Sequence, residues 1–204
     1  RKRRRGPELV TSKGTPVQAL VDLKGSGNCY RVYPVRSCEY FKDGDECKFC
    51  NYNHAQEDGR VVGINRSATI NLEETAEAFN ILGSEFRLLD GCLVGGGVKN
   101  SEKEASINCR FVEKLNSALP YGTCMQLLAE AMPRKELQRL KDSGLSAISL
   151  QMELFDERLF PVIAPGKAKH LSREGWLEAF QDTVDIFGVG NVGAQFIGGL
   201  TLQG

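Results

Sequence analysis

From about residue 70 onward, short apolar runs alternate with longer stretches in which apolar residues recur every three or four positions. The short runs predict strands over 88–94, 121–128, 147–154 and 192–200. The longer stretches predict helices between them. Asn71 is placed to cap the first, with Glu73 and Glu74 in its opening turn and Ala76, Phe79 and Leu82 on one face. A second helix is expected over 102–119. Pro133 opens a third, which ends at Lys141-Asp142-Ser143-Gly144. Ser172 caps a fourth that runs to about Phe187 and closes at Gly188. Upstream, over 19–35, Leu20, Leu23, Tyr30, Val32 and Val35 alternate around the turn signal Gly25-Ser26-Gly27-Asn28, which predicts a hairpin or a first strand behind a flap.

Strands that are apolar on both faces and separated by helices argue for parallel βαβ units, an α/β fold with about five strands visible. The pattern suits a doubly wound sheet or a TIM-like barrel. In both, ligands sit at the C-terminal ends of the strands. The features that stand out fall at those ends: a cysteine-bearing loop, Gly95-Gly96-Gly97, Glu153 and Gly198-Gly199. They are therefore expected on one face.

Residues 1–18 open with Arg1-Lys2-Arg3-Arg4-Arg5, followed by Gly6-Pro7 and a second polar stretch. They read as a flexible, solvated basic arm, with contact to RNA as the alternative; residues 19–204 form the one domain. With 26 basic and 26 acidic residues, no global field favours nucleic acid or a membrane surface. No apolar run is long enough to span a bilayer, and no apolar signal core follows the basic block. Seven cysteines without such a signal point to a reducing compartment and a cytoplasmic location. Cys29, Cys92, Cys109 and Cys124 are expected as free thiols that act as small hydrophobes, with Cys29 the one that could add a fourth ligand to the remaining three.

Those three, Cys38, Cys47 and Cys50, are spaced C-x8-C-x2-C in the segment CEYFKDGDECKFCNYNH. Thiolates are soft ligands that suit iron–sulfur clusters or zinc. A closed structural site takes four protein ligands, so three leave one coordination position open. One alternative reads Cys38, Cys47, Cys50 and His54 as a CCCH zinc finger of an RNA-interaction module; another is a βαβ protein with a structural metal site. The short gap Cys47-Lys48-Phe49-Cys50, with an aromatic before the last cysteine, resembles the radical S-adenosylmethionine superfamily, whose usual spacing is C-x3-C-x2-C; the first gap here is longer.

The resemblance, to the biotin-synthase-like and elongator-like branch, covers roughly 35–204 and implies a partial TIM-like barrel, with a chain that stops in mid-pattern. It implies that Cys38, Cys47 and Cys50 hold a four-iron four-sulfur cluster, with S-adenosylmethionine on the open iron. Reductive cleavage of S-adenosylmethionine would give a 5′-deoxyadenosyl radical that takes hydrogen from an unknown substrate. A flavodoxin- or ferredoxin-like protein would supply the electron. Phe49 falls within the cluster motif. Gly95, Gly96 and Gly97 stand where the family carries Gly-Gly-Glu against the methionyl amino group, with glycine in place of the glutamate. Glu153 matches a carboxylate that reads the positive end of the cosubstrate. Ser149 and Gln151 share its face by strand alternation and could reach the ribose. Lys167 is a candidate partner for a carboxylate, and Ile197 falls in a strand that packs on adenine, although Gln195 and Leu202 depart from the family's glycine and glutamate there. A solvated helix start is expected for Asp156, Glu157 and Arg158.

Overall fold

A computed structural model describes residues 9–24, 28–53, 70–95 and 97–200. Among these, one six-stranded sheet runs in sequence order: β1 (Val21–Lys24), β2 (Cys29–Val32), β3 (Asp90–Val94), β4 (Cys124–Ala129), β5 (Ala147–Glu153) and β6 (Val192–Phe196). β1 pairs antiparallel with β2, and every later neighbour is parallel. Parallel neighbours that follow one another in sequence need a crossover each time. Successive steps in one direction curl the sheet as a barrel does, so the doubly wound alternative gives way to an open, barrel-like sheet.

The crossovers are α1 (Leu72–Glu85), α2 (Ser101–Ala118), α3 (Arg134–Asp142), the short α4 (Phe160–Ile163) and α5 (Pro165–His170), and α6 (Arg173–Phe187). The expected caps are present. The side chain of Asn71 accepts from the Glu74 N–H at 2.9 Å, and that of Ser172 from the Gly175 N–H at 3.1 Å. Asn100 caps α2 in the same way. Gly188, at φ 85°, ends α6 in a conformation that a Cβ disfavours. Helices α1, α2, α3 and α6 pack side by side.

Register divides the strand residues between two faces. Val32, Leu93, Leu127 and Ile148 lie across from one another on neighbouring strands, and all are fully buried. Tyr30, Gly91 and Met125 form the row beneath them. The Tyr30 ring fills the space over Gly91, which has no room for a Cβ, and meets Phe79 of α1 edge-on at 4.8 Å. The opposite face carries Cys92, Gln126 and Ala147, then Val94, Leu128 and Ser149, which are mostly half-buried.

Several expectations need correction. Residues 9–18, expected in the flexible arm, are packed: Val10 bridges Pro16, Thr11 donates to Glu74 at 2.8 Å, and Val17 is buried. The arm's basic block lies outside the described residues. β6 stops at Phe196 rather than at 200, and β3 and β4 begin later than expected. Beyond a helix start at 156–158, no bounds were expected for α4, and α5 was not expected. Asp156 accepts from the N–H groups of Arg158 and Leu159 at 2.8 and 3.0 Å, which starts the turn into α4 and agrees with a solvated helix start. Cys29 and Cys124 are exposed rather than apolar-packed.

Candidate active site

The cysteine loop follows β2 and is held down along its length. After Cys38, residues Glu39–Lys42 form a 3-10 turn. The Glu39 N–H donates to the Gly97 carbonyl at 2.9 Å, and the Glu39 carboxylate accepts from the Lys99 N–H at 2.9 Å and from the Lys103 ammonium at 2.9 Å. Asp43 pairs with Lys99, and Asp45 pairs with Lys169 of α5 at 2.6 Å. The Gly166 N–H donates to the Asp45 carbonyl at 3.0 Å, and the Lys48 N–H to the Ile163 carbonyl at 2.8 Å. The eight residues between Cys38 and Cys47 therefore form a turn stitched to the start of α2 and to α4–α5. Their length does not loosen the loop.

The loop closes over the C-terminal ends of the strands. Cys38, Cys47, Cys50, Phe49, Gly95, Gly97, Gln151, Glu153 and Lys167 all line one cavity of about 130 Å³. Ser149 and Ile197 do not line it. Ser149 is buried beneath Gln151, whose amide donates back to the Ser149 hydroxyl at 3.2 Å. Ile197 is half-buried, and its N–H donates to the Glu153 carbonyl at 2.8 Å. Gly96 and His54 lie outside the described residues. Cys29 is not a neighbour of the triplet. It begins β2, at the opposite end of the strands, and lines a separate hollow with Cys92 and Cys124.

Glu153 is the one non-glycine with a positive φ among the described residues, at 77°. Such a conformation costs about 1–2 kcal/mol and collects at functional sites. It caps no helix. Its Oε1 accepts from Lys167 Nζ at 2.9 Å. Lys167 also donates to the Gln151 carbonyl and stands 3.4 Å from Oε1 of Glu130, with its ammonium 5.7 Å from the centre of the Trp176 ring. Burial opposes the charge on Lys167, but Glu130 and Glu153 outweigh it and raise its pKa. Its three donors all face protein acceptors. In this structure, then, the carboxylates that it holds belong to the protein.

Among the cavity-lining residues that were not foreseen are three with polar groups, Tyr40, Glu104 and Glu130. All three are buried, and Tyr40 Oη, Glu104 Oε2 and Glu130 Oε2 lack hydrogen-bond partners among the described residues. Burial, and then the nearby Glu130, raise the pKa of Glu104 well above the usual carboxylate range; its carboxylate accepts from the Glu130 N–H. Burial also raises Glu130, against the pull of Lys167. An acid whose folded pKa is raised binds more protons when folded than when unfolded. Its stabilising contribution therefore falls as pH rises above the unfolded value. Glu104→Gln is expected to raise the melting temperature at pH 8, by about 2–4 °C for each 1 kcal/mol relieved, with the gain shrinking towards pH 5. Thermal melts of both proteins across that range check it.

Burial also raises the Cys38 thiol, and pushes that of Cys47 up to about 12. Metal binding to such thiols releases protons. Among the described residues, no three His, Cys, Asp or Glu side chains are gathered as the ligands of a single ion. The three thiols line one cavity.

The comparisons bear on this arrangement. No family model matches the chain. Its sequence is 27% identical over 199 residues to the bacteriochlorophyllide c C-7(1)-hydroxylase of Chlorobaculum limnaeum, a match that covers 91% of this chain. The chain spans about half the length of that relative, 49%. Methylornithine synthase (PylB) superposes with a TM-score of 0.60 at 20% identity, over 89% of this chain and 46% of its own. HydG, a maturase of the FeFe-hydrogenase, gives 0.63 at 16% identity, over 91% and 38%. OxsB, a cobalamin-dependent S-adenosylmethionine radical enzyme, gives 0.55 at 16%, over 82% and 23%. With parallel strands in sequence order and a three-cysteine loop over their C-terminal ends, the chain shares the fold of these solved structures, one of which is an S-adenosylmethionine radical enzyme.

Proposed function

We propose that this chain carries the cofactor-binding half of a radical S-adenosylmethionine enzyme, with Cys38, Cys47 and Cys50 as the ligands of a four-iron four-sulfur cluster. One observation carries the reading: the three thiols share a single cavity with the strand-end residues Gly95, Gly97, Gln151 and Glu153, while Cys29, Cys92 and Cys124 line another hollow at the far end of the strands. No fourth cysteine lines the triplet's cavity, so one iron is left for a cosubstrate. When bound, the cluster supplies the one-electron chemistry that cleaves S-adenosylmethionine, a step the side chains cannot perform.

The protein's part is positioning and exclusion of water. Glu153, aimed into the cavity by its strained backbone, offers a carboxylate to the cationic end of S-adenosylmethionine. Gln151 stands one step down the same strand face, within reach of the ribose. Val94 and Leu128 make the cavity floor apolar. Phe49, half exposed, lines the cavity next to the last cysteine in sequence. Lys167 bridges Glu130 and Glu153. Ile197, behind Glu153, supports the adenine side. The electron donor is a flavodoxin- or ferredoxin-like protein, which would approach at the loop, where Lys42 and Lys48 are exposed. The substrate reaction is hydrogen abstraction from carbon, in keeping with the hydroxylase name of the curated relative.

The test is direct. Anaerobically reconstituted protein given a strong reductant is expected to convert S-adenosylmethionine into methionine and 5′-deoxyadenosine without added substrate. A fully loaded cluster with no cleavage would falsify the reading, and so would stoichiometric zinc in place of iron. No helix among the described residues is long and apolar enough to cross a membrane.

A further inference from the structure

Position 97 is glycine where the resemblance calls for glutamate, and the structure gives a steric reason. A Cβ at Gly97 would stand 2.7 Å from the Tyr40 ring, closer than real Cβ contacts come. Tyr40 is fixed there by the stitched 3-10 turn and is 1% exposed. A side chain at 97 and the Tyr40 ring exclude each other. The same Cβ position is 3.2 Å from Oε1 of Glu130. Glu130, one strand over and just past the end of β4, thus brings a carboxylate to the place that a side chain at 97 would reach.

That carboxylate is half satisfied. Oε1 faces Lys167 at 3.4 Å, and Oε2 is buried without a partner among the described residues, as are Tyr40 Oη and Glu104 Oε2 in the lining of the same cavity. Buried polar atoms without partners point to a missing group. The charge count agrees. Among the described residues that line the cavity, Lys167 is the one cation against Glu104, Glu130 and Glu153. Lys167 stands between Glu130 and Glu153, so the carboxyl groups outnumber the one cation. An alkylammonium group supplies the missing positive charge and up to three N–H donors.

We propose that Glu130 is the carboxylate that receives the α-ammonium of S-adenosylmethionine in this chain, from the end of β4 rather than from position 97. The proposal rests on the radical S-adenosylmethionine reading above.

The test compares two ligands by isothermal titration on the full chain with its cluster reconstituted: S-adenosylmethionine, and the analogue with hydrogen in place of the α-amino group. Wild type is expected to prefer S-adenosylmethionine. Glu130→Gln should lose about tenfold or more of that affinity while binding the analogue as wild type does, at unchanged iron content. Glu130→Asp keeps the charge but shortens the reach, and should fall between the two; if Glu130→Gln does not fold, this variant decides. Equal losses for both ligands, or an unchanged preference, overturn the proposal. A wild-type protein that loads its cluster and binds neither ligand overturns the radical reading itself, an outcome separate from any behaviour of the variants.

Discussion

Cys38→Ala, Cys47→Ala and Cys50→Ala are each expected to abolish iron–sulfur loading, while Cys29→Ala, Cys92→Ala and Cys124→Ala leave the iron content of the reconstituted protein unchanged. The contrast follows from place rather than from residue type. All seven cysteines are free thiols. Three line the cavity at the C-terminal strand ends, and Cys29, Cys92 and Cys124 line the hollow at the other end. β2, β3 and β4 separate the two groups, at roughly 3.3 Å per residue. A cluster that takes one thiolate at each of three irons has no spare ligand, so one loss empties the site. Iron and sulfide analysis with visible absorption, on anaerobically reconstituted variants, reads the result. If Cys29→Ala also lost its iron, the centre would be closed by four thiolates and the open iron would be gone.

Gly166→Ala is expected to cost about 1–3 kcal/mol of stability and to strip most of the cluster-binding capacity, although residue 166 touches no ligand. Gly166 begins α5 at the point where the cysteine loop is tied down. A Cβ there would stand 2.6 Å from the Asp45 carbonyl and press on the Tyr40 ring. The Gly166 N–H holds that same carbonyl at 3.0 Å. Backbone cannot yield as a side-chain tip does, so the added methyl pushes the loop off α5 and draws Cys47 away from the cavity wall. Limited proteolysis of the apoprotein within 38–50, alongside iron content, tests this. A variant that loads iron normally would show that the loop tolerates displacement.

The alternation of short apolar runs with periodic stretches carried the fold, because strand and helix bury their faces at different periods. Asn71, Ser172 and Gly188 were legible as helix ends because capping is local chemistry within one turn. The cysteine triplet and the acidic end of β5 were legible because chain order already puts strand C-termini on one face in parallel βαβ units. α4 and α5 were not. Each is too short to show a period, and α5 is held by Asp45, more than a hundred residues away, rather than by its own sequence. The packing of residues 9–18 was hidden for the same reason: Thr11 and Ser12 read as a polar arm until Glu74 and Glu77 of α1 accept from them.

The sequence by itself determined the class of fold and the order of its elements, and it displayed the cysteine triplet that we propose as the donor set. All of these depend on residue type and spacing along the chain. Only the tertiary structure decided which groups share the cavity. Glu104 sits in the first turn of a helix and Glu130 follows a strand, places where a lone carboxylate ordinarily meets water. Both are buried because the stitched cysteine loop closes over them. Lys167 was expected to face a ligand, and two carboxylates of the protein hold it instead. Glycine at 97 departs from the family pattern, yet Tyr40 already fills the space its side chain would need. Steric exclusion and charge pairing across elements far apart in the chain set these outcomes, and neither leaves a mark in local sequence.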